Sequence, residues 1–266
     1  MHRRDFIGSL AAAGIVPAAS RRLSPLGLQL YTVRELMQRD FTGTLRAVRA
    51  AGYREVEFAG YFGRTPREVQ LALREARLTA PAVHVDATAL FSGFDEVLER
   101  SRATGHQWVV VAWMPDEMRR TLDDWRRAAE LFNQCAELAR RHGLGFAYHN
   151  HDYAFRPTEG AIPYDVLLEN TNPGLVKMEL DLFWIRKGGQ DPLAYFERWP
   201  ERFPMVHVKE MTADGQMVDV GQGVIDFRSI FAQARRAGIQ HYFVEHDEPV
   251  DPLASIRNSY RYLRRL

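Results

Sequence analysis

The 266-residue sequence is short of cysteine, of net charge and of long apolar runs, and each shortage excludes something. With Cys135 alone there is no internal disulfide, so the fold must stand on its core. Cys135 keeps helical spacing with Leu131, Phe132, Leu138 and Ala139 and reads as part of that core. Thirty-five basic residues against thirty-four acidic ones leave a net charge of +1, which offers no footprint for nucleic acid. No apolar run reaches the roughly 20 residues that span a bilayer, and no low-complexity segment interrupts the chain. What is present is core material, 46% hydrophobic residues.

The apolar run Ile7–Ala19 follows the pair Arg3-Arg4 and ends in small residues near Ala18–Ser20. A basic start, a short apolar stretch and a small-residue end predict an export signal over residues 1–24, and the paired arginines point to the twin-arginine route. That route carries folded proteins, often with the cofactor already loaded. The expected location is the periplasm or another exported site, with no membrane association once the signal is removed.

Over residues 25–266, eight β-rich runs alternate with helix-period segments: Leu26–Tyr31, Glu55–Phe58, Ala82–Asp86, Trp108–Ala112, Leu144–His149, Val176–Leu182, Met205–Lys209 and His241–Glu245. Several are nearly continuous apolar stretches, as parallel strands covered on both faces require. Helical segments close on glycine at Gly52 and Gly238. The alternation predicts an α/β fold, a single-domain (β/α)₈ barrel. The Gly221–Gly223 pair opens no helix directly after a strand, so the open nucleotide-binding sheet is set aside.

Four of these runs end in groups that bind metal or move protons. His149, Asn150, His151 and Asp152 stand in a row, Glu179 and Asp181 alternate along the sixth run, His207 and Lys209 along the seventh, and Glu245 and Asp247 close the eighth. In a barrel these ends share one cavity at the C-terminal face. Imidazole and carboxylate are the usual ligands of borderline divalent ions. Singly, His207 reads as an interior histidine and Glu245 as a loop carboxylate. Glu179, inside an apolar strand, needs a proton, a partner or a metal. One polar cluster per consecutive strand points to a site.

The chain resembles the xylose isomerase-like TIM barrels grouped as sugar phosphate isomerases and epimerases, as an exported member. The resemblance is carried by Val56–Gly60, Tyr148–Tyr153, Glu179–Trp184, His207–Glu210, Val220–Asp226 and Val244–Asp247. It implies a divalent metal, Mn²⁺ or Zn²⁺, held after strands five to eight by a glutamate, an aspartate, a histidine and a glutamate. Asp181, His207 and Glu245 match the last three, whereas strand five has no glutamate. Glu179 or His149 is left to supply the fourth ligand, and Glu179 is preferred because it has no other evident partner.

The chemistry implied is proton abstraction beside a carbonyl through a metal-stabilised enediolate. Glu245, His149 or His151 would act as base and Lys209 would donate to the oxygen. Glu57, His84, Trp113 and Trp184 are expected substrate contacts, with Phe155 and Phe183 further candidates for an apolar wall. The substrate is expected to be a non-phosphorylated sugar or keto sugar, because no basic loop follows strands seven and eight. Arg156 and Lys187, the nearest cations, read as solvated charges. Isomerisation or epimerisation is the first reading. Elimination on a 3-keto glycoside or inosose is the alternative, favoured by the missing glutamate and by export. A non-catalytic periplasmic sugar binder is a second alternative, and the metal set argues against it. A DNA phosphodiesterase is excluded by charge and export. The arginine-rich stretch Arg257–Arg265 suits either solvent or a partner copy in a homo-oligomer.

Overall fold

The computed structural model describes Leu23 and residues 25–266. The expected signal segment otherwise lies outside the described residues. Eight parallel strands close a barrel: β1 (Leu26–Gln29), β2 (Glu55–Phe58), β3 (Thr79–Val85), β4 (Trp108–Val111), β5 (Gly145–His149), β6 (Val176–Asp181), β7 (Met205–Val208) and, after a small antiparallel hairpin of β8 (Glu210–Met211) and β9 (Met217–Val218), β10 (His241–Val244). Each neighbours its predecessor, and β10 pairs with β1 to shut the ring, Leu26 opposite Tyr242 and Leu28 opposite Val244. The single-domain α/β barrel expected from the alternation is what forms.

Local chemistry sets the element ends. The helix Phe41–Ala51 starts where the Asp40 carboxylate accepts from Gly43 N and stops at Gly52, whose φ of 121° suits glycine. Reciprocal capping boxes open two others, Thr65 with Glu68 before Pro66–Ala76 and Thr121 with Asp124 before Leu122–Arg141. The long helix buries Trp125, Ala129, Phe132, Ala136 and Ala139 on one face, with Cys135 in the core as its spacing predicts.

Inside the barrel the residues are layered. Ala82, Val110, Ala147, Met205 and Phe243 form an apolar plug at depth, with Trp108 against it. Two glycines make room for it: a Cβ on Gly27 would lie 2.5 Å from the Phe243 ring, and one on Gly145 would lie 2.3 Å from the Trp108 ring. One inward step toward the C-terminal end, Ala82, Ala147, Met205 and Phe243 give way to His84, His149, His207 and Glu245, while Val110 on β4 is followed by Ala112. The plug is the dry floor on which the site rests.

Candidate active site

Strand register assembles the polar layer. Gln29 pairs in register with Glu57, His149 with Glu179, and Asp181 with His207. Because strand residues alternate faces, His84, His149, Glu179, Asp181, His207 and Glu245 all turn inward above the plug. Asn150 ties β5 to β6, accepting from Asp181 N at 3.0 Å. One oxygen of Asp181 accepts from Trp184 N at 2.8 Å and so opens the helix Leu182–Lys187, which leaves only Oδ2 for the cavity.

His207 is the hub. Its Nδ1 lies 2.8 Å from Glu245 Oε2, and its Nε2 lies 2.7 Å from Glu57 Oε2 and 3.1 Å from Glu179 Oε2. Glu179 Oε2 also meets His84 Nε2 at 2.9 Å and His149 Nδ1 at 3.2 Å. Lys209 Nζ stands 2.7 Å from Glu245 Oε2, 2.8 Å from Asp247 Oδ1 and 3.1 Å from Asp181 Oδ2. Two groups of metal-capable residues result. One is His84, His149, Glu179 and His207; the other is Asp181, His207 and Glu245. The four ligands expected from the sequence are therefore divided, Glu179 facing a different corner from Asp181 and Glu245.

Burial and neighbouring charge pull the titrations apart. Burial alone would lower the His207 and Lys209 values, but the carboxylates around each raise both well above the ordinary range. His84 is raised to about 9, Glu57 and Glu179 overcoming its burial. Burial pushes Asp181 up to about 6 against the pull of Lys209 and His207. Glu245 goes the other way: Lys209 and His207 overcome burial and hold it well below the usual carboxylate range. Burial and the charge of His207 keep His149 neutral. His151 is pushed down to about 3 by burial and then by Lys209. Its Nδ1 is buried without a partner, and its ring stacks on Tyr153 at 5.6 Å.

A cleft of about 330 Å³ opens over this layer, lined by His84, His149, His151, Lys209, Glu245, Asp247 and Glu248, with Tyr31 and Trp113 at its sides. Trp113 is 46% exposed and Tyr31 41%, enough for both rings to meet a ligand. The structure revises several expected substrate contacts. Glu57 is fully buried beneath His207 and takes a hydrogen bond from Gln29 Nε2 at 2.8 Å, so it positions that imidazole and does not reach the cleft. His84 shows its edge to the cleft but turns Nε2 inward onto Glu179. Trp184 stands behind His151 and Lys209, 5.4 Å and 5.6 Å away, and is not part of the lining. Phe155 and Phe183 are buried in packing, Phe155 against Tyr164 and Tyr195. Arg156 pairs with Asp152, and Lys187 lies over the Phe183 ring. The sequence reasoning missed Gln29 and Tyr31, and it named Asn150 in the strand-five row without giving it a role of its own.

The donor set suits a divalent ion. Glu179 Oε1, Asp181 Oδ2 and His149 Nδ1 are buried without aligned hydrogen-bond partners, although His149 Nδ1 lies close to Glu179 Oε2. Close pairs that do not aim at each other are what ligands turned toward a shared centre look like.

A parallel barrel with imidazoles and carboxylates over its C-terminal face defines the class, and the sequence agrees: the chain belongs to the xylose isomerase-like TIM barrel family, whose model matches residues 45–266. This is an enzyme family. Inosose dehydratase of Lacticaseibacillus casei is 26% identical over 165 residues, 55% of this chain and 54% of that protein. The chain thus spans about half the length of the curated relatives it matches. A sugar phosphate isomerase/epimerase from Parabacteroides distasonis ATCC 8503 superposes with a TM-score of 0.79 over 97% of this chain and 98% of that one, at 24% identity. An IolI protein solved with a binding zinc atom superposes at 0.71 over 89% of this chain and 95% of that one, at 14% identity. Both structural likenesses speak to the fold.

Proposed function

We propose that the protein is a metal-dependent enzyme that abstracts a proton beside the carbonyl of a non-phosphorylated sugar or keto sugar, in the manner of the isomerases and epimerases. One observation carries this reading: ligand-capable imidazoles and carboxylates, an unpartnered His151 and a charged Lys209 converge on one cleft. A divalent ion, Mn²⁺ or Zn²⁺, held by His207 and its neighbours would supply Lewis-acid charge beside the carbonyl oxygen. His151 is the base, since it lines the cleft and its Nδ1 has no hydrogen-bond partner. Lys209 faces the cleft fully charged and donates to the oxygen as negative charge develops. Trp113 and Tyr31 flank the ring. Three carboxylates at the mouth, Glu245, Asp247 and Glu248, disfavour a phosphorylated substrate.

A specific observation favours elimination as the second reading. Epimerisation uses a base on each face of the carbon, but the Glu245 carboxylate is engaged by His207 Nδ1 at 2.8 Å and Lys209 Nζ at 2.7 Å and is not free to serve as the second one. A single base, His151, suffices to remove the proton and expel a β-substituent, as on a 3-keto glycoside or an inosose. The named activity of the inosose dehydratase relatives is of this kind.

We further propose that residues 1–24 direct export by the twin-arginine route, so that the site works outside the cytoplasm. Among the described residues no helix is long and apolar enough to cross a membrane. Incubation of the metal-loaded protein with ketoses and 3-keto glycosides in deuterated water tests the chemistry. Deuterium entering the recovered sugar, or an unsaturated product, is the expected result. Neither appearing with any member of the panel would sink it.

A further inference from the structure

A base must be aimed as well as placed, because a misplacement of about 1 Å can cost about 100-fold in rate. Histidine bases are commonly oriented by a hydrogen bond at the ring nitrogen turned away from substrate. His151 is held differently. Its Nδ1 is buried and has no hydrogen-bond partner, so neighbouring rings fix the imidazole. Tyr153 lies nearly parallel to it, with centroids 5.6 Å apart and an interplanar angle of 11°, within the range of offset stacking. His149 meets it edge-on at 5.0 Å, and Trp184 packs at 5.4 Å. His149 stands on strand β5 and Trp184 on the helix Leu182–Lys187. Tyr153 sits on the short 3₁₀ turn Asp152–Phe155, so its ring depends on contacts from outside that turn.

Those contacts come from the loop after β4. Tyr153 OH accepts from Met114 N at 3.1 Å. The Arg119 guanidinium covers the Tyr153 ring, its Cζ 3.9 Å from the centroid, where the ring's π face attracts a cation. Arg119 is itself anchored. Its Nε donates to Met114 O at 2.8 Å, its guanidinium pairs with Asp116, and its carbonyl accepts from Trp125 Nε1 at 3.3 Å. The same guanidinium lies 5.3 Å from the ring of Trp113, the exposed aromatic at the side of the cleft. One cation is therefore shared between the ring that stacks on His151 and the ring that flanks substrate. Arginine suits this place, being planar, able to stack on aromatic faces and always charged.

We infer that Tyr153 and Arg119 are positioning residues: the Tyr153 ring sets the plane of the His151 imidazole, and Arg119 locks that ring to the loop carrying Trp113, so that base and substrate wall keep one spacing. Neither residue lines the cleft, and each acts through a neighbour that does. This inference rests on the reading of His151 as the base and names what aims it.

Two measurements on the protein in the presence of Zn²⁺ test it. The first is proton NMR of the His151 ring, its signals assigned by their loss in His151→Ala. The ring current of a stacked tyrosine should hold them upfield. They should move in Tyr153→Leu and stay in place in Tyr153→Phe, which keeps the ring. Signals unmoved in Tyr153→Leu would overturn the inference whatever the activity. The second is turnover of the ketose and 3-keto glycoside panel. Tyr153→Leu should lower kcat by about 10- to 100-fold with KM within about 3-fold of wild type, and Tyr153→Phe should restore most of the rate. Arg119→Met should lower kcat and raise KM together, since it loosens Trp113 as well. In the His151→Ala background Tyr153→Leu should cost nothing further, because a residue that acts through His151 has nothing left to act on. A loss as large in that background as in the wild type would make Tyr153 merely structural and overturn the inference, with His151 still the base. A wild type without turnover overturns the functional reading itself, and the NMR signals then still decide whether Tyr153 aims the imidazole.

Discussion

His151 combines two properties that suit a base: it lines the cleft, and nothing occupies its buried Nδ1. His151→Ala is expected to lower kcat by about 10²- to 10⁴-fold while metal content and thermal midpoint stay near wild type. Unchanged turnover would remove it from the mechanism. Lys209→Met should be costly in another way, since it leaves Asp181, Glu245 and Asp247 facing one another without their cation. Breaking a buried ion pair costs about 3–5 kcal/mol, which urea unfolding would register. His106 provides a pH dependence remote from the cleft. Its Nδ1 meets Ala80 O at 2.7 Å, and burial pushes the imidazole down to about 4. The unfolded chain takes up this proton below about 6.5, so the contribution is complete above that pH and is lost as pH falls toward 4. In that window wild-type stability should fall by about 1.4 kcal/mol per pH unit more steeply than that of His106→Asn; equal slopes would contradict the assignment. At this scale the sequence was readable where a strand ends in its own chemistry, as at Asp181, His207 and Glu245. It was less readable where a role depends on the far side of the barrel. His84 and Glu179 are 95 residues apart and touch, a pairing that no local spacing announces. Gln29 left a signal that went unused: an amide alone in the apolar run Leu26–Leu30 must find a partner, the same reasoning that singled out Glu179.

Among the elements, the strands were legible to within three residues at either end because buried parallel strands are short, apolar and bounded by helix stops. The run read as Ala82–Asp86 begins earlier, at Thr79, its first residues hidden by Pro81. The hairpin of β8 and β9 was not foreseen. Glu210 read as part of a chemical motif, yet its carboxylate accepts from the backbone of Met211, Gly221 and Ile225 and fastens the loop that carries the Gly221–Gly223 pair. The floor of the site is an element-scale device. Phe243→Ala would empty the centre of the plug and should cost about 3–5 kcal/mol, seen as a lower urea midpoint. A cost below 1 kcal/mol would mean that the barrel interior collapses to fill the space. Thr65→Ala, which removes one half of a capping box, should cost about 1 kcal/mol by the same measurement.

For the molecule as a whole, closure is what turns eight separate strand ends into one site. The β1–β10 seam is reinforced from outside by the helix Pro252–Leu263, where Tyr53 OH donates to Ile256 O at 2.9 Å and Ser259 Oγ accepts from Val220 N at 3.1 Å. Closure brings Gln29 of the first strand onto the carboxylate behind His207 of the seventh. Barrel topology was readable from alternation alone; the division of the polar layer into a lysine corner and an imidazole corner was not, because it depends on which nitrogen of His207 faces which carboxylate. The export proposal also belongs to this scale. Replacing Arg3 and Arg4 by lysine should retain the full-length precursor in the cytoplasm on cell fractionation, and normal export of that variant would refute the route. The central claim is that this barrel is a metal enzyme, and the metal content of the purified protein tests it most directly. About one equivalent of a divalent ion, lost in His207→Ala, is the predicted result. A wild type that remains metal-free after incubation with Mn²⁺ and with Zn²⁺ would contradict the account.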